Sequence, residues 1–348
     1  MSGGEEASLT DAGEPPGPPD GAGGPGGPGP GGPAGPRGDL PGVGGHHAVT
    51  GAFGFSGRRI ARRLLDDGHR VTTLTGHPGR GAGRLATRLE AIHPFRFGAP
   101  DRMAGALEGV DVLHNTYWIR FERGERTFRR AVRNSRRLFE AAAAAGVERI
   151  VHVSIAHPGA RDDLPYYRGK ARVEEALADT GVPHSVLRPA LLFGEGDVLV
   201  NNIAWIVRRL PVFAVPGRGD YRVRPIHVDD LAALAVREAD RDEDRRVVPA
   251  VGPDRPRYRE MVRRLADALG ERVRVVGAPP AAVLAAAKAL GLLVRDVVLT
   301  RDELEGLTAG LLDVEGEAAG ETGLFDWVAD DADAVGRSWA SELERHYR

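Results

Sequence analysis

The 348-residue chain carries 47 Lys and Arg against 49 Asp and Glu, a formal net charge of −2. That balance offers no global field for nucleic acid or for an anionic membrane. Cysteine is absent, which excludes disulfides, thiolate catalysis and cysteine–zinc sites, and accords with a reducing, cytoplasmic setting.

At this length the chain can bury one large core or two modest ones. Residues 1–44 are Gly/Pro-rich with scattered acids and almost no apolar side chains, so they are expected to stay disordered. The opening Met1-Ser2-Gly3-Gly4-Glu5-Glu6 lacks the charged and apolar regions of a signal peptide. His46 and His47 either form a metal-ligand pair or, more simply, lead into the first strand, 46–49. The turn Thr50-Gly51-Ala52-Phe53-Gly54-Phe55-Ser56-Gly57 follows, then an amphipathic helix from Arg58 to Leu65, a stop at Gly68, and a second strand, 71–75.

Alternation continues from there. A short strand is expected at Pro94-Phe95-Arg96-Phe97, a helix over 102–107, a strand over 110–115 and a long helix over about 125–145. A strand over 150–154, a helix over 166–180 and a strand over 184–188, broken by Pro189, complete the series. Alternation with short loops predicts an α/β fold, a Rossmann-type doubly wound parallel sheet. Beyond about residue 190 come a helix over 202–210, a strand over 223–228, and a helix over 231–239 capped by Asp229 or Asp230. Residues 256–348 read as mostly helical. The expected organisation is a tail (1–44), a dinucleotide-binding domain with substrate-lobe insertions (45–245) and a smaller, mostly helical C-terminal substrate lobe (246–348). The most apolar helical stretch, 281–294, is interrupted by Lys288 and falls short of the about 18 apolar residues that a membrane span needs.

Ligands of such sheets bind beyond the carboxyl ends of the strands. The turn at 51–57, Thr75, Asn115 with Thr116, Ser154 and Pro189 all lie at such ends. Glycines at 51, 54 and 57 between a strand and a helix let the backbone bend sharply and approach a pyrophosphate, with the helix N-terminus behind it. A purely structural glycine turn is the alternative. Phe53, Phe55, Ser56 and Arg58 belong to the same turn.

Lysine occurs only at 170 and 288. Where arginine serves almost everywhere, a retained lysine points to a need for a compact ammonium. Tyr166 and Lys170 are spaced i and i+4 and share a helix face. A lysine beside a phenol lowers the phenol pKa, as acid–base work near neutral pH requires. A surface tyrosine and a solvated lysine are the alternative reading. No acid ends the second strand at Thr75-Gly76-His77-Pro78-Gly79-Arg80. An acid there would favour NAD. Its absence, with Arg58, Arg59 and Arg80 nearby, favours NADP(H) over NAD(H). Residues 117–121, with Trp118, and Asn201, Asn202 and Trp205 are candidate walls of an apolar or mixed substrate pocket, or else packing between lobes.

Together these residues resemble the short-chain dehydrogenase/reductase superfamily, in its extended and atypical, epimerase/dehydratase-like branches. The 51–57 turn matches the Gly-x-x-Gly-x-x-Gly pattern, and Ser154, Tyr166 and Lys170 match Ser…Tyr-x-x-x-Lys. Arg188-Pro189, 193–197 and 226–231 are similar to further extended-branch patterns, most like proteins related to the nucleotide-binding accessory subunit of respiratory complex I. The resemblance spans about residues 46–245. It implies that Tyr166 exchanges the proton at a carbonyl or hydroxyl, that Lys170 holds the nicotinamide ribose and depresses the Tyr166 pKa, and that Ser154 hydrogen-bonds the substrate oxygen. At Gly98-Ala99, where many relatives place an aspartate against the adenine, this chain departs. The implied partner is a small-molecule substrate. An oxidoreductase, a non-catalytic dinucleotide-binding protein and a nucleotide-sugar epimerase or dehydratase remain the competing functions.

Overall fold

The computed structural model describes residues 44–81 and 83–346; the side chains of Arg80, Arg345 and His346 fall outside it. The tail expected at 1–44 therefore lies outside the described residues, save its last. Seven parallel strands form the central sheet: β1 (His46–Thr50), β2 (Arg70–Thr75), β3 (Ala91–Pro94), β4 (Val112–Asn115), β5 (Arg149–Val153), β6 (His184–Pro189) and β10 (Arg245–Ala250). Between them in the chain run β7 (Leu191–Phe193), β8 (Val212–Pro216) and β9 (Pro225–His227). The sheet order is β10-β6-β5-β4-β1-β2-β3. The order reverses between β1 and β4, and open α/β sheets hold their ligands at such a switch point.

Helices cover the sheet: α1 (Phe55–Asp66), α2 (Pro100–Gly105), α3 (Phe128–Ala144), α4 (Pro165–Ala178) and, after α5 (Leu199–Val207), α6 (Val228–Arg237). In α1 the buried residues are Gly57, Ile60, Ala61 and Leu64, the one-face spacing of an amphipathic helix. Every residue of β1 is buried, as expected of a parallel strand covered on both faces.

The second half adds α7 (Tyr258–Ala268), β11 (Arg274–Ala278), α8 (Pro280–Val294), α9 (Arg301–Thr308), α10 (Leu324–Asp330) and α11 (Glu342–His346). Its core joins Phe193, Val200, Ile203 and Val207 to Met261, Leu265, Leu324 and Val328. Two small parallel pairs, β7 with β9 and β8 with β11, complete it. Among the described residues no helix is long and apolar enough to cross a membrane.

The structure moves several boundaries. The strand expected at 94–97 ends at Pro94, which closes the pairing with Thr75. Phe95 and Phe97 instead stack on each other with ring centroids 4.8 Å apart and pack against Tyr117. His227, not Asp229 or Asp230, caps α6: its ring accepts from the Asp229 amide. Asp230 is occupied with the amides of Glu321 and Thr322. His46 and His47 lie within β1; His46 bonds Gly109 and Thr72, and His47 bonds His114.

Candidate nucleotide site and adjoining cavity

The turn between β1 and α1 is built from backbone. Gly51 sits at φ 66°, a conformation only glycine adopts without strain. Its amide donates to Leu74 O, and its carbonyl accepts from the Gly54 amide at 2.8 Å. A Cβ on Gly57 would lie 2.3 Å from Gly51 O, so the helix packs on the turn as closely as a glycine allows. No side chain caps α1, and its first turn holds no acid. The first amides of the helix are therefore left to a ligand, in the field of a positive dipole end. This cradle fits a dinucleotide pyrophosphate.

Thr50, Asn115 and Thr116 brace the floor. Thr50 Oγ1 donates to Asn115 Oδ1 and accepts from the Thr116 amide at 2.7 Å, while Thr116 Oγ1 donates to Thr50 O at 2.6 Å. Asn115 is wholly buried, and its amide bonds His152 Nδ1. It ties three strands together beneath the site, and Thr116 is the one that reaches the cavity. Thr75, also buried, accepts the His77 amide.

A cavity of about 430 Å³ opens beside the turn. It brings together Phe55, Ser56, Thr116, Ser154, Tyr166, Lys170 and Pro189, which the sequence scatters over more than a hundred positions. Ser154 closes β5; it is 5% exposed, and its hydroxyl has no partner. An orphaned hydroxyl facing a cavity is costly unless a ligand engages it. Lys170 Nζ donates to Val153 O at 3.1 Å and lies 5.0 Å from the Trp118 ring centre. Burial lowers its pKa to about 7, with Glu174 acting the other way.

Tyr166 departs from expectation. Its pKa is raised, first by burial, then by Tyr167 and Glu303, with Arg120 opposing. Trp118 packs against both the Tyr166 ring and Lys170. The depression expected from Lys170 is not found; burial and a carboxylate wall the sequence did not reveal set the direction instead.

That wall comes from the C-terminal third. Thr300 caps α9 in a reciprocal box with Glu303, and Asp302 accepts the Tyr166 amide at 3.2 Å. Arg120 Nε donates to Glu303 Oε1 at 2.6 Å, and its guanidinium lies 3.6 Å from Glu342. Burial works against the Glu303 charge, yet Arg120 and Thr300 hold its pKa below the usual range. The motif Thr300-Arg301-Asp302-Glu303 was legible as a helix start; its place beside Tyr166 was not.

Other candidates fall elsewhere. Asn201 and Asn202 bond Ser338 O and Ala340 O, and Trp205 packs on Trp339, so these three hold the lobe together and lie outside the lining of that cavity. Arg59 is spent on Glu195 and Asp229. The Arg58 guanidinium lies near Gly196. The Arg80 side chain lies outside the described ones. Gly51, Phe53 and Gly54 shape the turn, while Phe55 and Ser56 carry it into the cavity.

Fold and turn together define a dinucleotide-binding chain, and comparison with known proteins agrees. Residues 51–203 match the family described as NAD(P)H-binding. A (4-alkanoyl-5-oxo-2,5-dihydrofuran-3-yl)methyl phosphate reductase of Streptomyces griseus is 30% identical over 240 residues, 65% of this chain and 74% of that protein. An uncharacterized protein of Mycobacterium tuberculosis is 30% identical over 261 residues, 73% of this chain. This chain spans only 27% of that relative's length. Among solved structures, an NADPH-dependent quinone oxidoreductase of Escherichia coli bound to NADPH superposes with a TM-score of 0.68 at 20% identity, over 82% of this chain and 98% of that one. The chain belongs to this NAD(P)H-binding, reductase-like family.

Proposed function

We propose that the chain is an NADP(H)-dependent oxidoreductase acting on a carbonyl or secondary alcohol in the cavity of about 430 Å³. One observation carries the reading: the buried, unpartnered Ser154 hydroxyl faces the same cavity as Tyr166, Lys170 and the glycine turn. The cradle between β1 and α1 would hold the cofactor, whose nicotinamide would supply hydride when bound. Ser154 hydrogen-bonds the substrate oxygen. Tyr166, its pKa raised by burial, stays protonated at neutral pH and donates a proton to that oxygen. Lys170, its pKa lowered by burial to about 7, would hold the nicotinamide ribose.

NADP(H) is preferred because no acid ends β2 to repel a 2′-phosphate. The competing nucleotide-sugar reading loses support, since Arg224 is consumed by Gly252 O, Val314 O and Gly316 O, and Arg222 by Arg255 O.

A screen of aldehydes, ketones and secondary alcohols tests the reading, followed by Tyr166→Phe on any hit. Loss of the acid lowers turnover by about 10²–10⁴ with NADPH affinity retained. Full activity in Tyr166→Phe overturns the mechanism. Tight NADPH binding without turnover on any substrate favours a non-catalytic dinucleotide-binding protein.

A further inference from the structure

Helix α8 is apolar on both sides but covered on only one. Val283, Leu284, Leu290 and Val294 are half-buried and Gly291 is buried, a stripe at helical spacing that rests on the protein. The opposite face is exposed. Ala281, Ala285 and Ala289 lead along it to Leu292, with Leu293 alongside, and these two leucines are 83% and 78% exposed. No residue from Pro280 to Arg295 is acidic. Lys288 and Arg295, both exposed, lie about two turns apart and so border one side of the apolar face. Among the described residues neither is paired with a carboxylate. The next acid, Asp296, is buried and accepts from the Trp339 indole and the amides of Glu342 and Leu343. Arg295 holds a left-handed φ of 55°, where a glycine would fit with less strain.

We propose that this face of α8 docks on an anionic lipid surface, with Leu292 and Leu293 among the acyl chains and Lys288 and Arg295 at the headgroup phosphates. Leucine side chains gain by leaving water. Cations beside them gain from anionic headgroups while their stems stay in the apolar layer. The net charge of −2 gives no attraction from afar, but these two cations act within a Debye length of the surface. A second copy of the chain fits the face less well. Half the surface of a 15-residue helix amounts to roughly 350 Å², against about 800 Å² per partner in a stable interface. Two such faces set together would also bring cation to cation with no acid between them. The tail, residues 1–43, is Gly/Pro-rich and has almost no large apolar side chains with which to cover the leucines. Beyond the helix the chain enters the cavity wall at Leu299 and Thr300. The docking stands whatever reaction that cavity carries out.

Co-sedimentation of the full chain with vesicles is the test. Vesicles of phosphatidylcholine alone are compared with vesicles of phosphatidylcholine and phosphatidylglycerol in about a 7:3 ratio. The anionic vesicles are expected to bind the protein about 30-fold more tightly, since each cation at the surface contributes about fivefold. Added salt should shrink that difference. Lys288→Gln combined with Arg295→Gln should remove it, leaving binding to neutral vesicles unchanged. Leu292→Ser combined with Leu293→Ser should weaken binding to both kinds of vesicle by at least about tenfold. All four side chains are exposed, so both variants should fold like the parent, with unchanged thermal unfolding as the check. Equal binding to neutral and anionic vesicles, or binding that the serine variant leaves intact, overturns the proposal. A lipid-free dimer in light scattering that the serine variant dissociates also overturns it, and gives the face to a second copy.

Discussion

Replacing Lys170 with Met tests the electrostatics of the buried site without any substrate. Lys170 is 4% exposed, and burial lowers its pKa from 10.5 to about 7. The sign follows from proton counting. Between the folded and unfolded pKa values the unfolded chain binds the proton and the folded chain does not, so stability rises with pH across that window. Below pH 7 both states are charged and the full cost of burying the ammonium is present; above 10.5 the cost is gone. Integrated between pH 6 and pH 9, this one group makes the cofactor-free protein about 3 kcal/mol more stable at the higher pH. Met fills a similar volume without the charge, so Lys170→Met should lose that increment. It should also be the more stable protein at pH 6. Urea unfolding of the cofactor-free chain and the variant at both pH values is the assay. Parallel pH dependence in the two proteins would refute the reasoning, because it would mean that Lys170 is solvated in the folded state. A fall in NADPH affinity in the same variant would bear on its ribose contact.

Gly57→Ala places a Cβ 2.3 Å from Gly51 O and should cost about 3 kcal/mol of stability in thermal or urea unfolding. Gly54→Val meets the same carbonyl at 3.2 Å, so the fold should survive while NADPH binding, read by calorimetry, is lost. Ser154→Ala removes a buried hydroxyl that has no partner; stability should hold or rise slightly while turnover on any substrate falls. Arg120→Met strands the buried Glu303 and should destabilise by about 3–5 kcal/mol, with much of the loss recovered when Glu303→Gln is added. Calorimetry should find NADPH bound more tightly than NADH; the reverse order would sink the argument from the missing acid at the end of β2. Acid should unfold the protein through its buried histidines. His47 and His152, lowered by burial to about 4 and about 3, remove stability as pH falls from 6.5 through those values, and His152→Asn should shift the acid midpoint downward.

The sequence alone determined the strand–helix alternation of the parallel core and the place of the turn. Those signals are local: apolar runs set strands, a 3.6-residue period sets helices, and three glycines between a strand and a helix have one common use. Ser154's place at a strand end beside the turn was legible for the same reason, because a doubly wound sheet gathers its strand ends on one side; its grouping with Tyr166 and Lys170 came from the family resemblance. What decided the character of the site was not local. Asp302, Glu303 and Glu342 follow Tyr166 by well over a hundred residues, and only the tertiary fold brings them to the same cavity. The Tyr166 pKa is set first by burial and then by Tyr167, Glu303 and Arg120; the i, i+4 lysine is not among its causes. Arg59, Asn201 and Asn202 looked available in sequence; tertiary packing gave each a backbone or carboxylate partner. A sequence names the donors and acceptors, but which of them remain free for a ligand is settled only when every buried polar group has found its partner.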